Sequence, residues 1–168
     1  SKGKFFCMAP TAEERLRVAR LYQRLAFGPR PGEFAQGLKM GSAALARQLL
    51  APSPGDVGIK AVGTPVITDL GPFPDIRSDA RAAFVLNLVS QRVTLQMWWL
   101  DRMACAINPI EERMTWFWHG HWATSISKVE YALPMYKQYV TMRENALGSF
   151  VNMSQSMIID GALQFWLD

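Results

Sequence analysis

Ile107-Asn-Pro-Ile-Glu-Glu-Arg-Met-Thr-Trp-Phe-Trp-His-Gly-His-Trp-Ala-Thr-Ser125 holds both histidines of the chain and three of its six tryptophans. Asn108 is a favourable N-cap, Pro109 suits the first helical position, and Glu111 follows the cap at the third position. Asn-Pro-Ile-Glu therefore reads as a capping box with Asn in place of Ser or Thr. The helix it opens is predicted to run through Met114, Trp116, Phe117 and Trp118 and to end or weaken at Gly120. Glu112, Trp116 and His119, at i, i+4 and i+7, share one face of it.

The two histidines decide what chemistry this stretch can host. On a regular helix, residues at i and i+2 point about 200° apart. On an extended segment they point the same way. A divalent metal shared by His119 and His121 thus requires the helix to end near Gly120, with a carboxylate or water completing the shell. Glu112 is the carboxylate assigned to that role, with Glu111 and Glu130 also near in sequence. The competing reading is structural. Two imidazoles amid aromatics would hydrogen-bond backbone or carboxylates and fix a helix end.

Working outward, the 168 residues suffice for one domain with its own core. The chain is 49% hydrophobic and 19% charged, yet no run reaches the apolar length of a membrane span. Nine methionines and six tryptophans imply a soft, bulky core or a face that binds something. The net charge of +4 is mild and scattered, so no nucleic-acid footprint is read. Cys7 and Cys105 are read as ordinary buried thiols in preference to a disulfide. No complete secretory signal stands at the N-terminus.

Helical periodicity and caps recur along the chain, whereas period-two alternation does not. Residues 1–9 read as a tail in which Phe5-Phe6 docks on the body. Thr11-Ala-Glu-Glu14 is a capping box, and its helix places Val18, Leu21, Tyr22 and Leu25 on one face. Shorter helices are predicted over about 31–40 and from Ser42 onward. Residues 51–78, with five prolines and four glycines, read as one long irregular segment of functional or mobile kind. Val66-Ile67 offers at most a short strand. Ser78-Asp79 caps the longest helix, about 79–106, whose predicted buried stripe is Val85, Val89, Val93, Met97, Leu100 and Ala104. Trp98-Trp99 places indoles on two sides of this helix, so more than one face should be covered. Further helices are predicted over about 135–147 and 149–159, then a last apolar turn. The expected fold is an irregular all-α bundle around a long central helix, forming a single domain over 1–168. The apolar, Trp-bearing stretch 149–168 is expected to pack against a partner or a further segment.

Five blocks carry a family resemblance: Leu-Ala-Phe-Gly-Pro (25–29), Trp-Trp-Leu-Asp-Arg-Met (98–103), Glu-Arg-Met-Thr-Trp-Phe-Trp-His-Gly-His-Trp (112–122), Arg-Glu-Asn-Ala-Leu-Gly-Ser-Phe (143–150) and Phe-Trp-Leu-Asp (165–168). Their order resembles the bacterial domain-of-unknown-function family 1800, chiefly through the Phe-Trp-His-x-His block. The chain departs from that pattern at Asn145 and Ser149, where His and Asn are expected. The resemblance implies an N-terminal portion of a larger domain, without the later Asn-Glu-Asn and Ala-Arg-Glu-Leu segment. It also implies an exported protein, periplasmic or at the cell surface, with a sulfatase-like partner. It implies no settled activity.

Two functions follow as expectations. One is a non-catalytic helical partner or envelope-polymer binding protein, acting through a Met/Trp-rich surface. The other is a metal-dependent hydrolase using His119, His121 and Glu112 to activate water. The chain carries no G-x-S-x-G, no H-E-x-x-H and no Cys beside a His, which favours the first.

Overall fold

The structure, a computed structural model, describes residues 9–51 and 55–168. Among the described residues it contains ten α-helices and no strand, the all-α class that the caps and periodicity predict. Phe5, Phe6, Cys7, Pro52 and Pro54 lie outside the described residues, and with them the question of a Cys7–Cys105 bond; Cys105 itself is exposed. The chain divides into two compact units: the described residues of Ser1–Ser53 with Asn108–Ile110, and those of Pro54–Ile107 with Glu111–Asp168.

The first unit is built from α1 (Ala12–Leu25), α2 (Glu33–Met40) and α3 (Ser42–Leu50). Thr11 caps α1, its hydroxyl accepting from the Glu14 amide at 3.2 Å. Val18, Tyr22, Ala26, Leu45 and Leu49 close the core. Gly37 sits where the Tyr22 ring and Leu45 crowd α2, and a Cβ there would lie 3.0–3.2 Å from both. The Tyr22 hydroxyl donates to the Glu33 carbonyl at 2.9 Å. Asn108 belongs to this unit, its side-chain amide donating to the Gln48 carbonyl at 3.3 Å.

The second unit holds α4 (Val57–Val62), α5 (Ala80–Cys105), α6 (Ile110–Trp122, from Glu111 on), α7 (Ile126–Val129), α8 (Ala132–Glu144), α9 (Phe150–Ile158) and α10 (Gly161–Leu167). The segment read as wholly irregular thus contains α4. Asp56 caps it, accepting from the amides of Gly58 and Ile59 at 2.9 and 3.1 Å. Gly58 is required here: a Cβ would stand 1.9 Å from the Cys105 carbonyl oxygen. Val66-Ile67 forms no strand.

The long helix appears as predicted, but its buried face does not. Phe84, Leu88, Leu95, Trp98 and Arg102 are the buried residues of α5. Val85, Val89, Val93, Met97, Leu100 and Ala104, the expected buried stripe, are all exposed. Two apolar stripes compete on this helix, and the one with long-range polar partners turns inward. The Trp98 ring N–H donates to the Gly63 carbonyl at 2.8 Å, which removes the cost of burying it. Leu95 and Trp98 then pack with Val129, Ala132, Met135, Tyr139 and Ala162. A second cluster joins Met142, Met153 and Met157 to Trp118, Trp122 and Leu163. In the 149–168 stretch Met153, Met157 and Ala162 are buried, while Phe150, Val151, Ile158, Ile159, Phe165 and Leu167 are exposed.

Candidate functional site

α6 does not end at Gly120. It continues to Trp122, so His119 and His121 are both helical and their side chains diverge by about 200°. A mid-helix glycine costs about 1 kcal/mol against alanine, and aromatic packing on both sides offsets it. His121 meets the rings of Trp118, Trp122 and Phe150 at 5.3–5.9 Å between centroids. His119 meets Trp99 edge-on at 5.0 Å. The two imidazoles therefore occupy different environments.

Glu112, the third expected ligand, is fully buried, and its carboxylate is occupied. Its Oε1 accepts from Arg102 Nε and a terminal guanidinium nitrogen at 3.1 and 2.8 Å, and from Arg143 Nε at 2.9 Å. Its Oε2 accepts from the Tyr139 hydroxyl at 2.5 Å. That hydroxyl in turn accepts from Arg102 Nε at 2.9 Å. Arg143 also reaches Glu111 at 2.7 Å. Burial and the adjacent Glu112 carboxylate push the Tyr139 phenol far above its ordinary value. Two arginines face two glutamates, so the cluster is neutral as a whole and its buried members are all hydrogen-bonded.

His119, His121 and Glu112 are thus not gathered into one cluster, and no group of three or more His, Cys, Asp or Glu side chains placed to hold a metal occurs among the described residues. The sequence singled out Glu112 and His119. It did not reveal Arg102, Arg143 and Tyr139, which come from other helices and from positions 10 to 31 residues away. The departures at Asn145 and Ser149 serve local structure. Asn145 donates to the Thr141 carbonyl, and Ser149 caps α9.

Beside the ionic cluster lies a half-open cavity of about 470 Å³. Trp99, Trp116, His119, Met103, Met135 and the ring of Tyr139 form much of its wall, with Met97 and Leu100 at the exposed rim. Among the described residues, no charged side chain lines it. Burial lowers the pKa of His119, keeping its imidazole neutral at pH 7. A second buried relay runs from Thr124 through Gln138 to Asp160, which caps α10.

Residues 20–168 match the family model described as protein of unknown function (DUF1800). The chain belongs to this family. The Phe-Trp-His-x-His block of the family resemblance is therefore, in this member, a continuous stretch of α6 that puts one imidazole on the cavity and the other among Trp118 and Trp122 of the same helix and Phe150 of α9. No curated protein and no solved structure matches the chain. Among the described residues, no helix is long and apolar enough to cross a membrane.

Proposed function

We propose that this chain is a non-catalytic binding protein of an exported bacterial system, docking a partner protein through the outer face of α5. One observation carries the reading. From Ala82 to Leu100, about five helical turns, no exposed residue of α5 is charged. Leu86, Val89, Val93, Met97 and Leu100 stand on that face about half exposed or more, and Trp116 of α6 is equally exposed beside the cavity. These six side chains present on the order of 600 Å² of apolar surface, the upper end for the largest patch of an ordinary monomer. Depletion of charge at the centre of a patch is the compositional mark of an interface core. The engagement of Glu112 by two arginines and a tyrosine also supports a role other than chemistry for the centre of the molecule. Export rests on the family resemblance, which likewise suggests a sulfatase-like protein as the partner.

The test is comparative co-purification from the source cells with wild type and the Val93→Lys/Leu100→Lys double variant. Both positions are on the surface, so the variant should melt with the wild type. A discrete stoichiometric partner held by wild type and lost by the variant is the expected result. An identical set of co-purifying proteins from both would contradict the docking role of α5.

A further inference from the structure

The cavity beside α5 has the dimensions and wall of a small-molecule site. Its volume, about 470 Å³, lies inside the range of roughly 300–1,000 Å³ typical of ligand pockets. Its wall is aromatic and thioether. Trp99 is the hub, with His119, Tyr139 and Trp116 around it at centroid distances of 5.0, 5.2 and 6.0 Å and steep interplanar angles. A planar aromatic guest would continue this edge-to-face array, and methionine sulfur favours the edge of such a ring. An aliphatic chain would gain neither contact.

The polar groups of the wall narrow the guest further. The Tyr139 hydroxyl is committed to Glu112 and Arg102. The Thr124 hydroxyl donates to Gln138, and that of Ser125 pairs with Ser127. The Gln96 amide stands exposed at the rim. The His119 imidazole makes no hydrogen bond among the described residues, and the buried ring N–H of Trp99 has no partner there. A neutral imidazole offers one donor and one acceptor. The absence of charge in the wall makes an ionic guest costly to desolvate.

We propose that this cavity binds an uncharged aromatic molecule bearing one hydrogen-bonding substituent, packed edge-to-face among Trp99, Trp116 and Tyr139 and hydrogen-bonded to His119. This goes beyond partner docking and does not depend on it.

The probe is 2-naphthol, titrated calorimetrically into the full chain beside 2-naphthoate and 1-octanol. One 2-naphthol per chain is expected, with the carboxylate and the aliphatic alcohol each binding at least about tenfold more weakly, the worth of one 1.4 kcal/mol preference. His119→Phe should weaken 2-naphthol about tenfold, as for one lost hydrogen bond, while His119→Gln, which keeps a donor and an acceptor, should retain most of the affinity. Leu100→Trp fills the cavity from its exposed rim without touching the core, and should abolish binding at an unchanged melting temperature. No saturable binding of 2-naphthol overturns the proposal. Equal affinity for 1-octanol, or indifference to both His119→Phe and Leu100→Trp, overturns it as well.

Discussion

Replacing Glu112 by Gln isolates what the buried carboxylate contributes. The substitution keeps the shape and leaves an oxygen able to accept from Arg102 and Arg143. Its new amide can donate to the Tyr139 hydroxyl, which now accepts only from Arg102. What disappears is the charge. Arg143 is partly exposed and keeps Glu111 at 2.7 Å. Arg102 has only 10% of its side chain exposed and, among the described residues, no other carboxylate within ion-pair distance. An uncompensated buried charge of this kind costs about 3–5 kcal/mol. Gln retains the hydrogen bonds to both arginines, but the buried Tyr139 O–H loses its acceptor, so at least the lower end of that range, about 3 kcal/mol, is expected. For a domain of this size that corresponds to a fall in melting temperature of roughly 6–12 °C. All six tryptophans lie in the second unit, so urea unfolding followed by tryptophan fluorescence reads that unit alone. Glu111→Gln is the control. Its ion pair is partly solvated, and its loss should cost under about 1 kcal/mol. A Glu112→Gln variant that unfolds at the wild-type urea concentration, with an unchanged slope, would refute the assignment of Glu112 as the counter-charge of Arg102.

Three further outcomes are expected. Met153→Ala, at a fully buried position, should lower stability by about 2–5 kcal/mol in the same fluorescence-monitored unfolding; a loss below 1 kcal/mol would mean that the methionine cluster is not close-packed as described. Gly58→Ala should cost about 1–3 kcal/mol through overpacking against the Cys105 carbonyl, and circular dichroism melts should show it; a neutral result would remove the close approach of α4 to α5. His119 is held neutral by burial, its pKa below the ordinary 6.5, so the unfolded chain takes up its proton first as pH falls. Stability from this group is therefore complete above 6.5, declines below it, and levels off beneath the folded pKa. His119→Phe should flatten that part of the stability–pH curve, and curves of equal slope for the two proteins would contradict a buried neutral imidazole.

Much of the fold was legible because its signals are local. Thr11 with Glu14 and the long apolar pattern of α5 each mark an element from residues near in sequence. The inward face of α5 was not legible, since two apolar stripes run along it. The choice falls to Trp98 and Arg102, whose partners Gly63, Glu112, Tyr139 and Arg143 come from elsewhere in the chain. Periodicity favours the purer stripe, Val89, Val93, Met97 and Leu100, and that stripe is the exposed one. Helix α4 was missed because its six residues carry two valines and a glycine between turn-forming neighbours, too short a span for a period to register. At the site, the spacing of His119 and His121 posed the right geometric question. Gly120 suggested a helix end, whereas the rings of Trp118, Trp122 and Phe150 around His121 carry the helix through it.

The docking role of α5 is tested most directly by photo-crosslinking inside the source cells. p-Benzoylphenylalanine would replace Val93, on the uncharged face, and in a parallel strain Lys137, an exposed polar position of α8. A single adduct of defined mass from position 93, absent from position 137 and lost on adding Leu100→Lys, is the predicted result. Position 93 yielding no protein adduct, or the same adducts as position 137, would contradict the account.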